Sequence, residues 1–186
     1  MFFCYKMKLR FYLIVIISFI SSCTSLPKQG AETYIPGEKL NIPNTLNLVK
    51  VDQNLYRCAQ PELLSFKVFD SLKIKTIVNL RYLKSDLVIH QNSQSKSKLI
   101  EIKVNSFRIE KWEADTFLKI MADPQNYPVL VHCKHGSDRT GVMTALYRVK
   151  FMGWTKEQAL QEMVYGELGF HKVFRHMVRF VRKYPI

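Results

Sequence analysis

Acidic residues are scarce in this chain of 186 residues: 15 Asp and Glu face 28 Lys and Arg, a net charge of +13 with His neutral. That surplus favours anionic partners such as phosphate esters, nucleic acid or anionic lipid, without choosing among them. Seven Gly and seven Pro are too few for a collagen-like or low-complexity chain. Four Cys without a CxxC or a Cys/His spacing give neither a disulfide framework nor a zinc motif. The aromatic share of 12% is enough for a packed core and excludes wholesale disorder. The length suits one domain with a tail and excludes long repeat arrays. The basic residues show no interleaved aromatic stacking pattern, so no nucleic-acid partner is expected.

What is present begins with an address. Residues 1–22 hold Lys6, Lys8 and Arg10 and no acid, followed by the apolar-rich run Phe11 to Ile20. This run is far short of the roughly 20 residues that span a bilayer, and it is followed by Ser21 and Ser22, the pattern of a signal peptide. Ile20-Ser21-Ser22-Cys23 resembles the lipobox of bacterial lipoproteins. The resemblance implies cleavage before Cys23, a lipid on that cysteine, and a periplasm-facing, membrane-anchored lipoprotein of the cell envelope. Thr24 is not acidic, which favours the outer membrane. Loss of the signal removes three positive charges and leaves +10, so the basic surplus belongs to the mature chain. Residues 23–47, with Pro27, Gly30, Pro36, Gly37 and Pro43, read as the lipidated N-terminus and a tether or extended lead-in, and 48–186 as one domain.

Within that domain strands alternate with helices. Leu46 to Val51 and Asn54 to Arg57 read as a strand pair, and Pro61 opens a helix over Glu62 to Leu72. Ile74 to Leu80 reads as a buried strand, 84–98 as a solvated helix or loop, and Ile100 to Phe107 as an alternating strand. Glu113 to Ala122 is helical in pattern, and Pro128 to His132 is a compact strand. Thr140 to Met152 follows as a helix, and Thr155 to Gln158 caps another that ends near Gly166. Phe170, Val173, Phe174, Met177 and Val181 line one stripe of a last helix. This alternation predicts an α/β fold: a central, mainly parallel sheet flanked by helices.

The chemistry is concentrated in His132-Cys133-Lys134-His135-Gly136-Ser137-Asp138-Arg139-Thr140-Gly141. A loop running from a strand into a helix aims backbone N–H groups and the helix N-terminus at one point, which makes an anion cradle. Its positive field favours a thiolate at Cys133, a nucleophile near neutral pH. Arg139 can return to the same anion as a two-pronged fork that lysine cannot imitate. Thr140 is placed to donate its hydroxyl to the sulfur, and Gly136 allows a tight turn.

This segment resembles the HCx5R(S/T)G signature of the cysteine-dependent protein tyrosine and dual-specificity phosphatases. Leu55 to Pro61 (LYRCAQP) resembles the LYRSxQP entry of compact bacterial phosphatases of this kind. Ile74 to Arg81 resembles their GIKTVVNLR strand, and Trp154 to Ala159 with Glu162-Met163 their GWSKEEAIxEM helix. The resemblance therefore spans about residues 48–183. It implies the cysteine-phosphatase fold and metal-independent hydrolysis of phosphate monoesters, on phosphorylated protein or small molecules, without a cofactor. Cys133 would form a phosphocysteine. Arg139 and the backbone of Lys134, His135, Gly136, Ser137 and Asp138 would hold the phosphoryl oxygens, and His132 would order the loop. Lys134 and His135 also leave an inositol phosphate or phosphoinositide substrate open, although Asp138 opposes a very anionic ligand. A phosphate-binding module without turnover is the remaining alternative.

The general acid departs from the pattern. The family carries an Asp on the loop before the signature strand, but Asn105-Ser106-Phe107 holds none. Glu110, Glu113 and Asp115 are the candidates; Glu110 ranks first because it lies earliest, while acids at 113 and 115 also suit the first turn of a helix. Arg81 could face the phosphate or pair with Asp86, and Arg57 and Gln60 could line the pocket. Cys58 is either a resolving thiol or an ordinary buried cysteine. Trp112 and Trp154 read as packing groups. The basic residues of the last helix read as a solvated face, or one lying on anionic lipid.

Overall fold

The computed structural model describes residues 25–30 and 32–186. The segment expected to be a signal peptide and the expected lipidation site Cys23 lie outside the described residues. Six strands form one sheet: β1 (Glu38–Lys39), β2 (Val49–Lys50), β3 (Leu55–Cys58), β4 (Thr76–Arg81), β5 (Lys98–Val104) and β6 (Val129–His132). Their spatial order is β1-β2-β3-β6-β4-β5. The β1/β2 and β2/β3 pairs are antiparallel; β3/β6, β6/β4 and β4/β5 are parallel. The helices are α1 (Ser65–Ser71), α2 (Leu87–Ser93), α3 (Lys111–Met121), α4 (Asp138–Met152), α5 (Lys156–Tyr165) and α6 (Arg175–Lys183). This is the α/β architecture expected from the alternation of elements.

Strand β6 sits between β3 and β4 and is buried along its whole length, which is why it reads as an uninterrupted apolar run. Because side chains alternate across a strand, Val129 and Val131 join the larger core on one face and Leu130 the smaller one on the other. The larger core holds Phe117 and Met121 of α3, Met143 and Leu146 of α4, Leu160 of α5 and Met177 of α6. The smaller holds Phe66 and Phe69 of α1 with Ile77. Helix α4 is the central helix, and Gly153, in the left-handed region at φ +70°, ends it. Thr155 then caps α5 by accepting from Gln158 N, and the Gln158 side chain accepts in return from Thr155 N.

Several boundaries differ from the sequence reading. Helix α1 begins at Ser65 rather than Glu62, because the Ser65 hydroxyl accepts from Glu62 N and closes a turn after Pro61. The last helix begins at Arg175, not Phe170; Val173 is exposed and off the apolar stripe. Helix α2 has no buried residue, in keeping with a solvated segment.

Residues 25–47 do not form a free tether. Pro27 is buried, and its carbonyl accepts from Tyr165 Oη. Gln161 and Gln158 donate to the carbonyls of Lys28 and Thr33. Tyr34 stacks at 5.4 Å on Trp154, whose other neighbour is the Arg148 guanidinium at 4.2 Å. Beneath them Arg148 and Glu162 form a buried two-pronged ion pair with Nε–Oε2 at 3.0 Å, and Gly37 N also donates to Glu162. The lead-in is thus a strap over α5 that ends as the edge strand β1. Trp112, by contrast, is 56% exposed and packs little.

Candidate active site

The segment Cys133–Ser137 runs from the end of β6 into α4. Each carbonyl along it has a partner. The Cys133 carbonyl meets His132 Nδ1 at 3.4 Å, Lys134 O accepts from Gln60 N at 3.1 Å, and His135 O accepts from Asn47 Nδ2 at 2.8 Å. Gly136 O accepts from Arg57 Nη2 at 2.6 Å, and Ser137 O accepts from Gly141 N at 2.8 Å and more distantly from Arg57. In a trans peptide the N–H points opposite to the C=O of the same unit. Fixing the carbonyls of 133–137 on the protein side therefore turns the amides of Lys134, His135, Gly136, Ser137 and Asp138 toward the concave side. The result is a ring of donors at a helix N-terminus, built to hold a tetrahedral anion.

Two features press the loop into this shape. Gly136 has φ +73°, and a Cβ there would lie 2.6 Å from the backbone of Cys58, so only glycine fits. Arg57 is 2% exposed and lies beneath the loop, its Nη2 donating to the carbonyl of Gly136 and, more distantly, to that of Ser137. Burial lowers its guanidinium to about 10, partly offset by Glu162 and Cys133, so it stays charged at neutral pH. Arg57 is thus a cation under the cradle rather than a pocket-lining group.

Cys133 lies at the floor of the cradle, 1% exposed. Arg139 reaches toward the end of β5, with Nη1 3.5 Å from Val104 O, and its buried Nε has no protein partner. The guanidinium therefore retains donors for an incoming oxyanion. Thr140 Oγ1 is also buried without a partner; the expected hydrogen bond to the Cys133 sulfur is not formed in this structure. The side chains of Lys134 and His135 are exposed on the outer rim. Asp138 does not face the pocket freely: its carboxylate accepts from His171 N at 2.9 Å and lies 3.0 Å from His171 Nδ1.

Behind the loop runs a polar chain that the sequence did not reveal. His132 Nε2 approaches Asp86 Oδ2 at 2.8 Å, a close ion-pair contact rather than a well-aligned hydrogen bond. Gln60 Nε2 donates to the other Asp86 oxygen, and Arg81 donates to Gln60 Oε1 at 2.9 Å. Arg81 thus reaches Asp86 through Gln60, not directly. Burial by itself would raise the Asp86 carboxyl; the close contact with His132, the Gln60 hydrogen bond and the nearby Lys84 outweigh it and hold the carboxyl below the ordinary range.

The three candidate acids occupy the stretch between β5 and α3. Asp115 is bound by Lys111 at 2.7 Å and by Tyr184, and these partners hold it below the usual carboxylate range, the wrong direction for a proton donor. Glu113 is buried and accepts from Glu110 N at 2.8 Å; burial pushes its carboxyl up, but it is committed to capping α3. Glu110 precedes α3, and its carboxylate pairs with the exposed Arg108 at 2.6 Å. Cys58 is a buried free thiol pushed up by burial, with further contributions from Cys133 and Asp86, which favours the ordinary buried cysteine.

A buried cysteine at the end of β6, a ring of inward amides and an arginine with free donors at the start of α4 are the parts a hydrolase of phosphate esters needs. The chain belongs to the tyrosine phosphatase family, whose model matches residues 42–184. It is 31% identical over 155 residues to the dual specificity protein phosphatase TpbA of Pseudomonas aeruginosa, covering 83% of this chain and 70% of that protein. It is also 31% identical over 143 residues to the inositol diphosphatase DSP4 of Arabidopsis thaliana, covering 72% of this chain and 66% of that protein. The crystal structure of a Cys-to-Ser form of TpbA with phosphotyrosine superposes with a TM-score of 0.68 at 28% identity, covering 81% of this chain and 92% of that one.

Proposed function

We propose that the chain hydrolyses phosphotyrosine-type monoesters by a metal-independent route through a phosphocysteine. The observation that carries this reading is the carbonyl-out, amide-in ring that follows Cys133, with Arg139 on the next turn holding a buried Nε without a protein partner. The Cys133 thiolate attacks phosphorus and the bond to the leaving oxygen breaks. The developing equatorial charge falls on amides already oriented for it, so little reorganisation is needed. A general acid protonates the leaving oxygen; its conjugate base then takes a proton from water, which attacks phosphorus, releases phosphate and restores the thiolate. We assign the acid to Glu110: it lies earliest on the segment between β5 and α3 and its partner Arg108 is exposed, whereas Glu113 is buried on Glu110 N and Asp115 is held by both Lys111 and Tyr184. The relative TpbA, by its name and its phosphotyrosine complex, supports the substrate class.

An inositol phosphate with more than one phosphate is the second reading. Exposed Lys134 and His135 favour it, and Asp138, turned onto His171, no longer opposes an anionic ligand. Turnover of phosphotyrosine, phosphoserine and inositol phosphates by the purified mature domain in chelator separates the readings. Preference for phosphotyrosine supports the first, preference for the inositol ester the second, and no turnover of any of them contradicts both.

The cell-envelope placement is part of the same proposal. The Ser25 carbonyl accepts from Arg182, and Leu26 packs on the core. A lipid on Cys23 would therefore hold the domain close against the periplasmic face of a membrane, the outer one by the sorting signal. Loss of lipid labelling in Cys23→Ala is the expected result; normal labelling contradicts it.

A further inference from the structure

His135, Asp138 and His171 form a cluster that the phosphatase chemistry does not use as such. One ligand atom from each lies within 4.8 Å of the other two. The Asp138 carboxylate is nearly buried, while both imidazoles are exposed, with ring centroids 5.4 Å apart. We propose that these three side chains bind a divalent transition ion of the zinc class at the rim of the active site, clamping residues 166–174 onto the signature loop.

The donor set selects the ion. Two imidazoles and one carboxylate suit zinc, cobalt or iron, whereas calcium and magnesium call for several oxygens. Lys134 and Arg139 lie beside His135, and their charge disfavours an ion held by electrostatics alone. Coordination by directional imidazole bonds overcomes that repulsion.

The geometry is close to a chelate. With bonds of about 2.0–2.1 Å, neighbouring ligand atoms around a metal lie roughly 3–3.4 Å apart. His171 Nδ1 is already 3.0 Å from Asp138 Oδ2 and 3.1 Å from Oδ1, and the metal would take the place of the Nδ1 proton, which leaves to solvent while Nε2 carries the ring's remaining proton. Only the exposed His135 side chain has to swing inward. Its backbone is fixed, because Asn47 holds the His135 carbonyl at 2.8 Å. The carboxylate has an outer partner in His171 N at 2.9 Å, the kind of contact that orients a metal ligand. Binding requires neutral imidazoles.

The test uses the full chain carrying Cys133→Ser with accessible thiols alkylated, so that sulfur cannot supply the site. Cobalt(II) is titrated and followed by its visible absorption, then displaced by zinc(II). His171→Asn keeps a donor for Asp138 and removes the imidazole; His135→Ala removes an exposed ligand with little cost to folding. The expected result is one cobalt per chain, displaced by zinc, with affinity falling at least about tenfold in each variant. Metal should also raise the melting temperature of the parent but not of the variants. Undiminished binding in His135→Ala, or the absence of stoichiometric binding in the parent, would overturn the proposal. Because the parent lacks Cys133, the result is independent of whether the chain turns over phosphate esters.

Discussion

His132 Nε2 lies 2.8 Å from Asp86 Oδ2, and both side chains are wholly buried. The pair joins the residue before the nucleophile to the loop that follows β4. Asp86 is held below the ordinary carboxylate range, so its contribution is present above the unfolded value near 4 and is lost as pH falls through the lower folded value. Asp86→Asn keeps the shape but removes the charge. It should cost about 1–3 kcal/mol at neutral pH and flatten the loss of stability below about pH 4. Urea unfolding of both proteins across pH 2.5–7, a window of about that width around the carboxylate titration, checks this; identical curves would show that the pair is idle.

Gly136 meets the backbone of Cys58 where a Cβ would stand 2.6 Å away, at φ +73°. Gly136→Ala should cost about 2 kcal/mol or more, since strain and overlap both act. Activity should fall further than stability, because the amides lose their convergence. An unchanged unfolding midpoint with full turnover would contradict this role.

Arg57 supplies the donors that turn the Gly136 and Ser137 carbonyls outward. Arg57→Met keeps much of the bulk but removes both the charge and the Nη2 donor. Turnover should drop at least about tenfold, with weaker inhibition by inorganic phosphate, reflecting a loosened anion ring. Equal phosphate affinity in the two proteins would remove Arg57 from the account.

Much of this was legible in the sequence, for a physical reason. The signature segment is contiguous, so nucleophile, arginine fork and glycine turn sit together whatever the rest of the chain does. Buried strand β6 and the capping box of α5 announce themselves by local pattern. What was not legible is non-local. Asp86 and His132 are 46 positions apart by number, and nothing in 84–98 marks Asp86 as buried. Asp138 reads as a loop acid until the chain after α5 brings His171 onto it. The strap over α5 reads as a tether because Pro and Gly punctuate it, while the groups that hold it, among them the Gln and Tyr side chains of α5, lie more than a hundred positions away.

Glu110 is the assigned acid, and its carboxylate pairs with exposed Arg108. Glu110→Gln should slow aryl phosphates with poor leaving groups by about 10²–10⁴-fold and those with good leaving groups much less. A uniform small effect across leaving groups would move the role away from Glu110.

Covalent catalysis by Cys133 is the central claim, and rapid acid quench of the wild-type domain with an aryl phosphate tests it most directly. Mass spectrometry of the digested protein should find one phosphoryl group on the peptide holding Cys133, appearing before steady-state product. Cys133→Ser should show neither that adduct nor turnover, while still binding phosphate. Wild-type turnover in Cys133→Ser, or a phosphoryl group on another residue, would contradict the account.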